Sequence, residues 1–192
     1  MALERSGVNI QTYNDSFCVS HLLRDYQKKI SGDSGVVIGT VDPWLEAMLL
    51  ENGARDLMTL EYGWLTLDHP RLDTLTPYAF AERYLDGDTE YFDFGATFSS
   101  VEHSGLGRYG DPLNPYGDLE AAVQVWCMIK PGGLFFLGVP GQSTSDSYLR
   151  WNAARVYGPD RLKHLAANWD VLEVPDCLPD IHVELVLQKP ME

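Results

Sequence analysis

The sequence predicts an α/β domain with a mostly parallel, twisted sheet, helices on both of its faces and an antiparallel strand near the C-terminal end. Three observations carry this. From Gly35 onward, short apolar runs alternate with helical segments. The first of these units reads strand, helix, strand, which imposes a parallel, right-handed crossover. The last two runs are joined only by a short Pro-containing loop, too short for a crossover, so that pair reads as antiparallel. The 192 residues fit one domain, and 45% apolar with 11% aromatic residues supply a core. Residues 1–34 read as an N-terminal extension with one helix, and residues 35–192 as the α/β domain.

In chain order, residues 20–30 carry Leu22, Leu23, Tyr26 and Ile30 at helical spacing. Residues 35–39 form an all-apolar, β-branched run of the kind buried on both faces of a parallel sheet. The helix over 42–50 has Asp42 to cap it and Pro43 suited to its first turn, where a missing N–H costs nothing. Residues 57–61 are a second strand that ends in an acid. Residues 71–75 read as an edge strand, 78–85 as a helix, and 91–98 as an apolar strand running into a glycine-rich loop, 99–117. Asp118 is placed to cap a helix with Leu119, Ala122, Val123, Trp126 and Ile129 on one stripe. Lys130-Pro131-Gly132-Gly133 ends that helix before a central strand over 134–139. A short helix after Pro159 and strands over 170–174 and 183–187 complete the order.

Charge and cysteines bound the function. Fourteen Lys and Arg against 28 Asp and Glu give a net charge of −14, which repels polyanions and sets nucleic acid and anionic membranes aside as partners. Cys18, Cys127 and Cys177 are far apart and form no C-x-x-C pair, so neither a disulfide framework nor a zinc site is expected. The opening residues have no apolar signal-peptide core, and no run approaches the roughly 20 apolar residues of a membrane span. These features fit a reducing, cytoplasmic location.

In an open parallel sheet, ligands bind beyond the carboxyl ends of the strands. That rule selects Gly39 and Thr40, Glu61, the residues from Ser99 to His103, and those from Pro140 to Gln142. A carboxylate ending the second strand suits a ribose diol, because it accepts from two adjacent hydroxyls; a surface acid at a strand end fits the position equally well. The loop 99–118 holds the densest set of polar types. Glu102 and His103 can supply acid–base chemistry, Arg108 can grip a carboxylate or phosphate, and Tyr109 and Asp111 can hold a polar acceptor. The competing reading is a rigid structural loop with Arg108 paired to Asp111 or Asp118. His21, His69, His164 and His182 are scattered, which speaks against a metal site. Ser99-Ser100 lacks the Gly-x-Ser-x-Gly of a nucleophile elbow. Trp44, Trp126 and Trp169 read as core, and Trp64 and Trp151 as loop residues more exposed than these.

The order of elements, Glu61, the Phe92-Asp93 strand leading to Glu102-His103, and the Lys130-Pro-Gly-Gly turn together resemble the class I S-adenosylmethionine-dependent methyltransferases over residues 35–189. More narrowly, the stretch Phe98-Ser-Ser-Val-Glu-His-Ser-Gly-Leu-Gly-Arg-Tyr-Gly-Asp-Pro-Leu-Asn-Pro115 resembles the methyltransferase-like family called domain of unknown function 268. The resemblance implies a Rossmann-like class I methyltransferase fold and S-adenosylmethionine as cofactor. Glu61 would then lie on the ribose, Gly39 and Thr40 near the methionyl group, and Ser99 and Ser100 close by. Under this reading the polar loop supplies the expected catalytic residues, His103 or Glu102 as the base together with Arg108, and Tyr109, Asp111 and Arg155 are expected to contact an unidentified small or saccharide-like acceptor. Two departures stand out. One glycine remains after the first strand, where Val41 adds a branched side chain, and Ala154 stands where the narrower family usually carries His. They favour an alternative, a non-catalytic scaffold binding a protein or saccharide through residues 105–118. A nicotinamide-dependent dehydrogenase ranks last, because Gly-x-Gly-x-x-Gly is absent after the first strand.

Overall fold

The computed structural model describes residues 16–63, 65–88, 91–142, 146–175 and 182–191. Nine strands and five α-helices are described: α1 (Ser16–Asp25), β1 (Ser34–Ile38), α2 (Trp44–Glu51), β2 (Asp56–Leu60), β3 (Leu72–Leu75), α3 (Pro77–Leu85), β4 (Phe92–Phe98), α4 (Gly117–Met128), β5 (Ile129–Pro140), β6 (Tyr148–Arg150), β7 (Ala154–Val156), α5 (Pro159–Leu165), β8 (Asp170–Glu173) and β9 (His182–Gln188). Seven strands make one sheet in the order β3-β2-β1-β4-β5-β9-β8. The first five are mutually parallel, and β9 runs antiparallel between β5 and β8. The reversed strand is therefore next to the edge. The strand order reverses between β1 and β4, which is where a crevice opens in such sheets.

Adjacent residues of the central strands point to opposite faces, and the core divides accordingly. Val36 and Phe135 join Phe80, Val125 and Leu165, from α3, α4 and α5, on one face. Val37 and Phe136 join Leu22 and Leu23 of α1 and Leu45 and Leu49 of α2 on the other. Both layers of helix are thus held by alternation within single strands, as expected for strands buried on two sides.

Several local expectations change. Asp42 does not cap α2; its backbone carbonyl accepts from the Trp44 N–H and the Thr40 hydroxyl, and Pro43 occupies the cap position without a side-chain bond. Asp118 does not cap α4 either. It lies inside the first turn, fully buried, and Tyr116 precedes the helix. The buried stripe of α4 runs through Asp118, Ala122, Val125 and Met128, while Val123 is exposed. Residues 130–133 are drawn into β5 across a register shift against β4. The hairpin β6–β7 was not foreseen; its turn needs a left-handed residue, supplied by Asn152 at φ 49°. Cys18 is disulfide-bonded and Cys127 is a free thiol, while Cys177 lies outside the described residues. This corrects the expectation of wholly reduced cysteines and removes the support it lent to a reducing compartment. Among the described residues no helix is long and apolar enough to cross a membrane.

Candidate functional site

A cleft of about 480 Å³ opens beyond the carboxyl ends of β1, β2 and β4, a size within the range of small-molecule sites. Gly39, Thr40, Glu61, Ser99, Ser100, His103, Arg108, Tyr109 and Asp111 all line it. Residues Pro140 to Gln142, also at a strand end, are not part of its lining, and Glu102 and Arg155 are two further exceptions given below.

On one side, the chain leaves β1 through Gly39, whose N–H donates to Leu60 O at 2.9 Å. Its φ of 71° lies in the left-handed region, and a Cβ there would sit 1.7 Å from Ser100 Oγ. A glycine is required by conformation and by space. Glu61 follows β2. Its Oε2 accepts the Thr40 N–H at 2.9 Å and its Oε1 accepts the Gly63 N–H at 3.1 Å. The two bonds fix the carboxylate and tie the loops after β1 and β2 together. Each oxygen accepts only one of them and keeps a second acceptor position. Val41, on the same loop, is 82% exposed.

On the other side, Ser99 turns the chain out of β4 at φ 53°, and its hydroxyl donates to Glu102 Oε1 at 2.7 Å. Glu102 is fully buried, and its Oε2 has no partner. Burial pushes its carboxyl above the usual range, partly offset by His103 and the Ser99 hydroxyl. Glu102 does not reach the cleft, which corrects its assignment as a catalytic group. His103 does reach it. Its Nδ1 lies 2.6 Å from Ala153 O, and a carbonyl only accepts, so Nδ1 carries the proton. Nε2 lies 3.5 Å from Glu102 Oε1.

Arg155 is the second exception. It is buried and absent from the cleft wall. Its guanidinium donates to the carbonyls of Glu102, Ser104, Asn114 and Pro115, so it cannot contact an acceptor and instead holds the loop in shape. Asp111 is also committed. Its carboxylate accepts the N–H groups of Gly105 at 2.6 Å, Gly107 at 3.1 Å and Tyr109 at 3.2 Å. Burial works against its charge, yet these N–H donors outweigh it and hold its carboxyl below the usual range. Behind the loop, Asp118 accepts from Tyr157 at 2.9 Å and from Arg161 at 2.8 and 2.6 Å, with Arg155 Nε 3.5 Å away. Burial together with Asp118 drives the Tyr157 hydroxyl up, and the Asp118 bond raises Arg161.

Tyr157 and Arg161 escaped the sequence reading because Asp118 satisfied a capping pattern and no spacing linked it to residues 39 and 43 positions on. Glu46 was missed as well. It sits on the buried face of α2, accepts from Thr59 Oγ1 at 2.9 Å, leaves Oε2 without a partner, and is pushed up to about 7 by burial. Its signal was an acid within the otherwise apolar run 44–50. Trp44 and Trp169 are buried, Trp126 is half-buried under Lys189 at 3.9 Å, and Trp151 is 91% exposed at the hairpin turn. Trp64 lies outside the described residues.

Residues 32–183 match the family model described as "Caenorhabditis protein of unknown function, DUF268". Solved structures share the fold at low identity. The [4+2]-cyclase SpnF superposes with a TM-score of 0.66 at 13% identity, over 91% of this chain and 82% of its own. An O-methyltransferase family protein from Burkholderia thailandensis gives 0.61 at 9%, over 90% and 56%. SMU.776, assigned as a methyltransferase and complexed with SAH, gives 0.57 at 8%, over 88% and 49%. The chain thus spans about half the length of the last two. No curated protein matches it in sequence.

Proposed function

The chain belongs to the DUF268 family, and we propose that it binds S-adenosylmethionine in the cleft beside Glu61 and transfers the methyl group to a small or saccharide-like acceptor. One observation carries this reading: a carboxylate at the end of β2, held by two backbone N–H groups, opens on a cleft large enough for the cofactor. Glu61 would accept from the ribose hydroxyls, and Gly39, Thr40 and Ser100 would border the methionyl part. The neighbours of this fold include a protein complexed with SAH and an O-methyltransferase family member, although a fold alone does not choose a chemistry.

The cofactor supplies an electrophilic methyl group on sulfur, and such transfers depend mainly on in-line positioning. The protein has one further task, to take the proton leaving the acceptor. His103 lines the cleft, and because Nδ1 is protonated toward Ala153 O, Nε2 is the nitrogen left to accept that proton. An imidazolium formed there is stabilised by that carbonyl and by the Glu102 carboxyl 3.5 Å away. Glu102 is a positioning residue in this scheme, fixed by Ser99.

A second reading, a non-catalytic scaffold, rests on one observation: the Gly39–Pro43 loop offers a single glycine and carries the exposed Val41 at the cleft rim. Thermal unfolding with S-adenosylhomocysteine separates the two. A ligand at 100 times its dissociation constant stabilises by about 2.7 kcal/mol and raises Tm. An unchanged Tm at millimolar ligand favours the scaffold.

A further inference from the structure

We infer that the acceptor carries an anionic group, a carboxylate or a phosphate, that docks on the Arg108 guanidinium; this rests on the methyl-transfer reading of the same cleft. Sequence alone left Arg108 with a bland explanation, an ion pair with Asp111 or Asp118. The geometry removes both partners. Asp111 spends its carboxylate on three backbone N–H groups. Asp118 is buried beneath the loop and is met there by Arg161, Arg155 and Tyr157. Arg108 is exposed, and its guanidinium has two neighbours among the described residues: Asn152 O, 3.3 Å from Nη1, and the Tyr109 ring, 5.5 Å from Cζ. Neither neutralises it.

The chain carries a net charge of −14, so a cation facing a cleft adds local positive potential against an acidic background. Its position is equally telling. Among the described residues lining the cleft, Arg108 is the one lysine or arginine. The loop is shaped to present it, because Gly107 and Gly110 take φ of 72° and 87° on either side, turning Asp111 inward and leaving Arg108 and Tyr109 outward. A guanidinium offers paired N–H donors that match carboxylate and phosphate oxygens, and only one donor is engaged, at a long 3.3 Å. The negative field of the remaining surface opposes anions in general, so the site would select one placed at this point.

The test uses the full chain saturated with S-adenosylhomocysteine and three matched probes titrated by calorimetry: glucuronate, glucose 6-phosphate and the neutral glucuronamide. Wild type is expected to bind at least one anionic probe threefold or more tighter than the amide, a gap of about that size being what an exposed ion pair supplies. Arg108→Gln should abolish the preference, and Arg108→Lys should keep part of it. A preference for glucuronate alone assigns a carboxylate, and one for glucose 6-phosphate alone assigns a phosphate. No preference in wild type, or an equal preference in Arg108→Gln, overturns the inference. Failure of S-adenosylhomocysteine to bind instead defeats the methyl-transfer reading, and the anion preference is then read on the cofactor-free protein by the same criterion.

Discussion

The loops on the two sides of the cleft use their acids in opposite ways. After β1 and β2, one carboxylate ties the two loops together: Glu61 bridges Thr40 and Gly63 and still faces the cleft. After β4, the residues up to 118 carry far more functional groups, yet their acids are committed to other groups of the protein. Glu102 is bonded to Ser99, Asp118 to Tyr157 and Arg161, and Asp111, although it lines the cleft, to three loop N–H groups, which leaves His103, Arg108 and Tyr109 for a ligand. Density of polar types therefore overstates the number of groups free for chemistry. A long glycine-rich loop needs those groups to satisfy its own backbone, since unpaired buried carbonyls and N–H groups are costly.

If that contrast is right, the largest stability effect lies on the β4 side. Asp118→Asn leaves buried guanidinium charge without its counter-ion, and removing one partner of a buried pair costs about 3–5 kcal/mol. Urea unfolding should show that loss; a change below about 1 kcal/mol would mean that Arg155 and Tyr157 hold the loop without it.

Glu46 provides the next effect. Its folded value is raised from 4.5 to about 7, so the folded chain keeps a proton that the unfolded chain releases in that window. Stability consequently falls as pH rises from about 4.5 to 7, by on the order of 3 kcal/mol. Glu46→Gln should flatten this stretch of the pH–stability curve and be more stable than wild type at pH 8. Parallel curves for the two proteins would refute the assignment.

A smaller cost falls on the β1 side. Gly39→Ala places a Cβ on Ser100 Oγ in a left-handed backbone, and such strain costs about 1–3 kcal/mol. Calorimetry should show weaker S-adenosylhomocysteine binding together with the lower Tm. Loss of Tm with unchanged binding would separate the turn from the cofactor site.

The fold was largely readable because strands buried on both faces leave continuous apolar runs, as in Val36-Val37 and Phe135-Phe136, and because the short final connection excluded a crossover. The helix starts were less so: Asp42 and Asp118 each satisfied a capping pattern, but one acts through its carbonyl and the other through a buried ion pair. At the site, Glu61 and Gly39 could be located from strand ends alone. The inward turn of Arg155 could not, since it depends on the carbonyls of residues 102–115, 40 to 53 positions away; the Ser99–Glu102 bond spans three residues, but that spacing does not reveal that Glu102 is buried.

The central claim is that Glu61 holds the cofactor's ribose. Isothermal calorimetry of S-adenosylhomocysteine against wild type and Glu61→Ala tests it directly, with circular dichroism verifying that the variant is folded. Losing hydrogen bonds to a charged group costs about 1.5–3 kcal/mol, so wild type should bind at one site and the variant about tenfold to a hundredfold more weakly. Equal affinity in the two proteins, or no binding to wild type, would contradict the account.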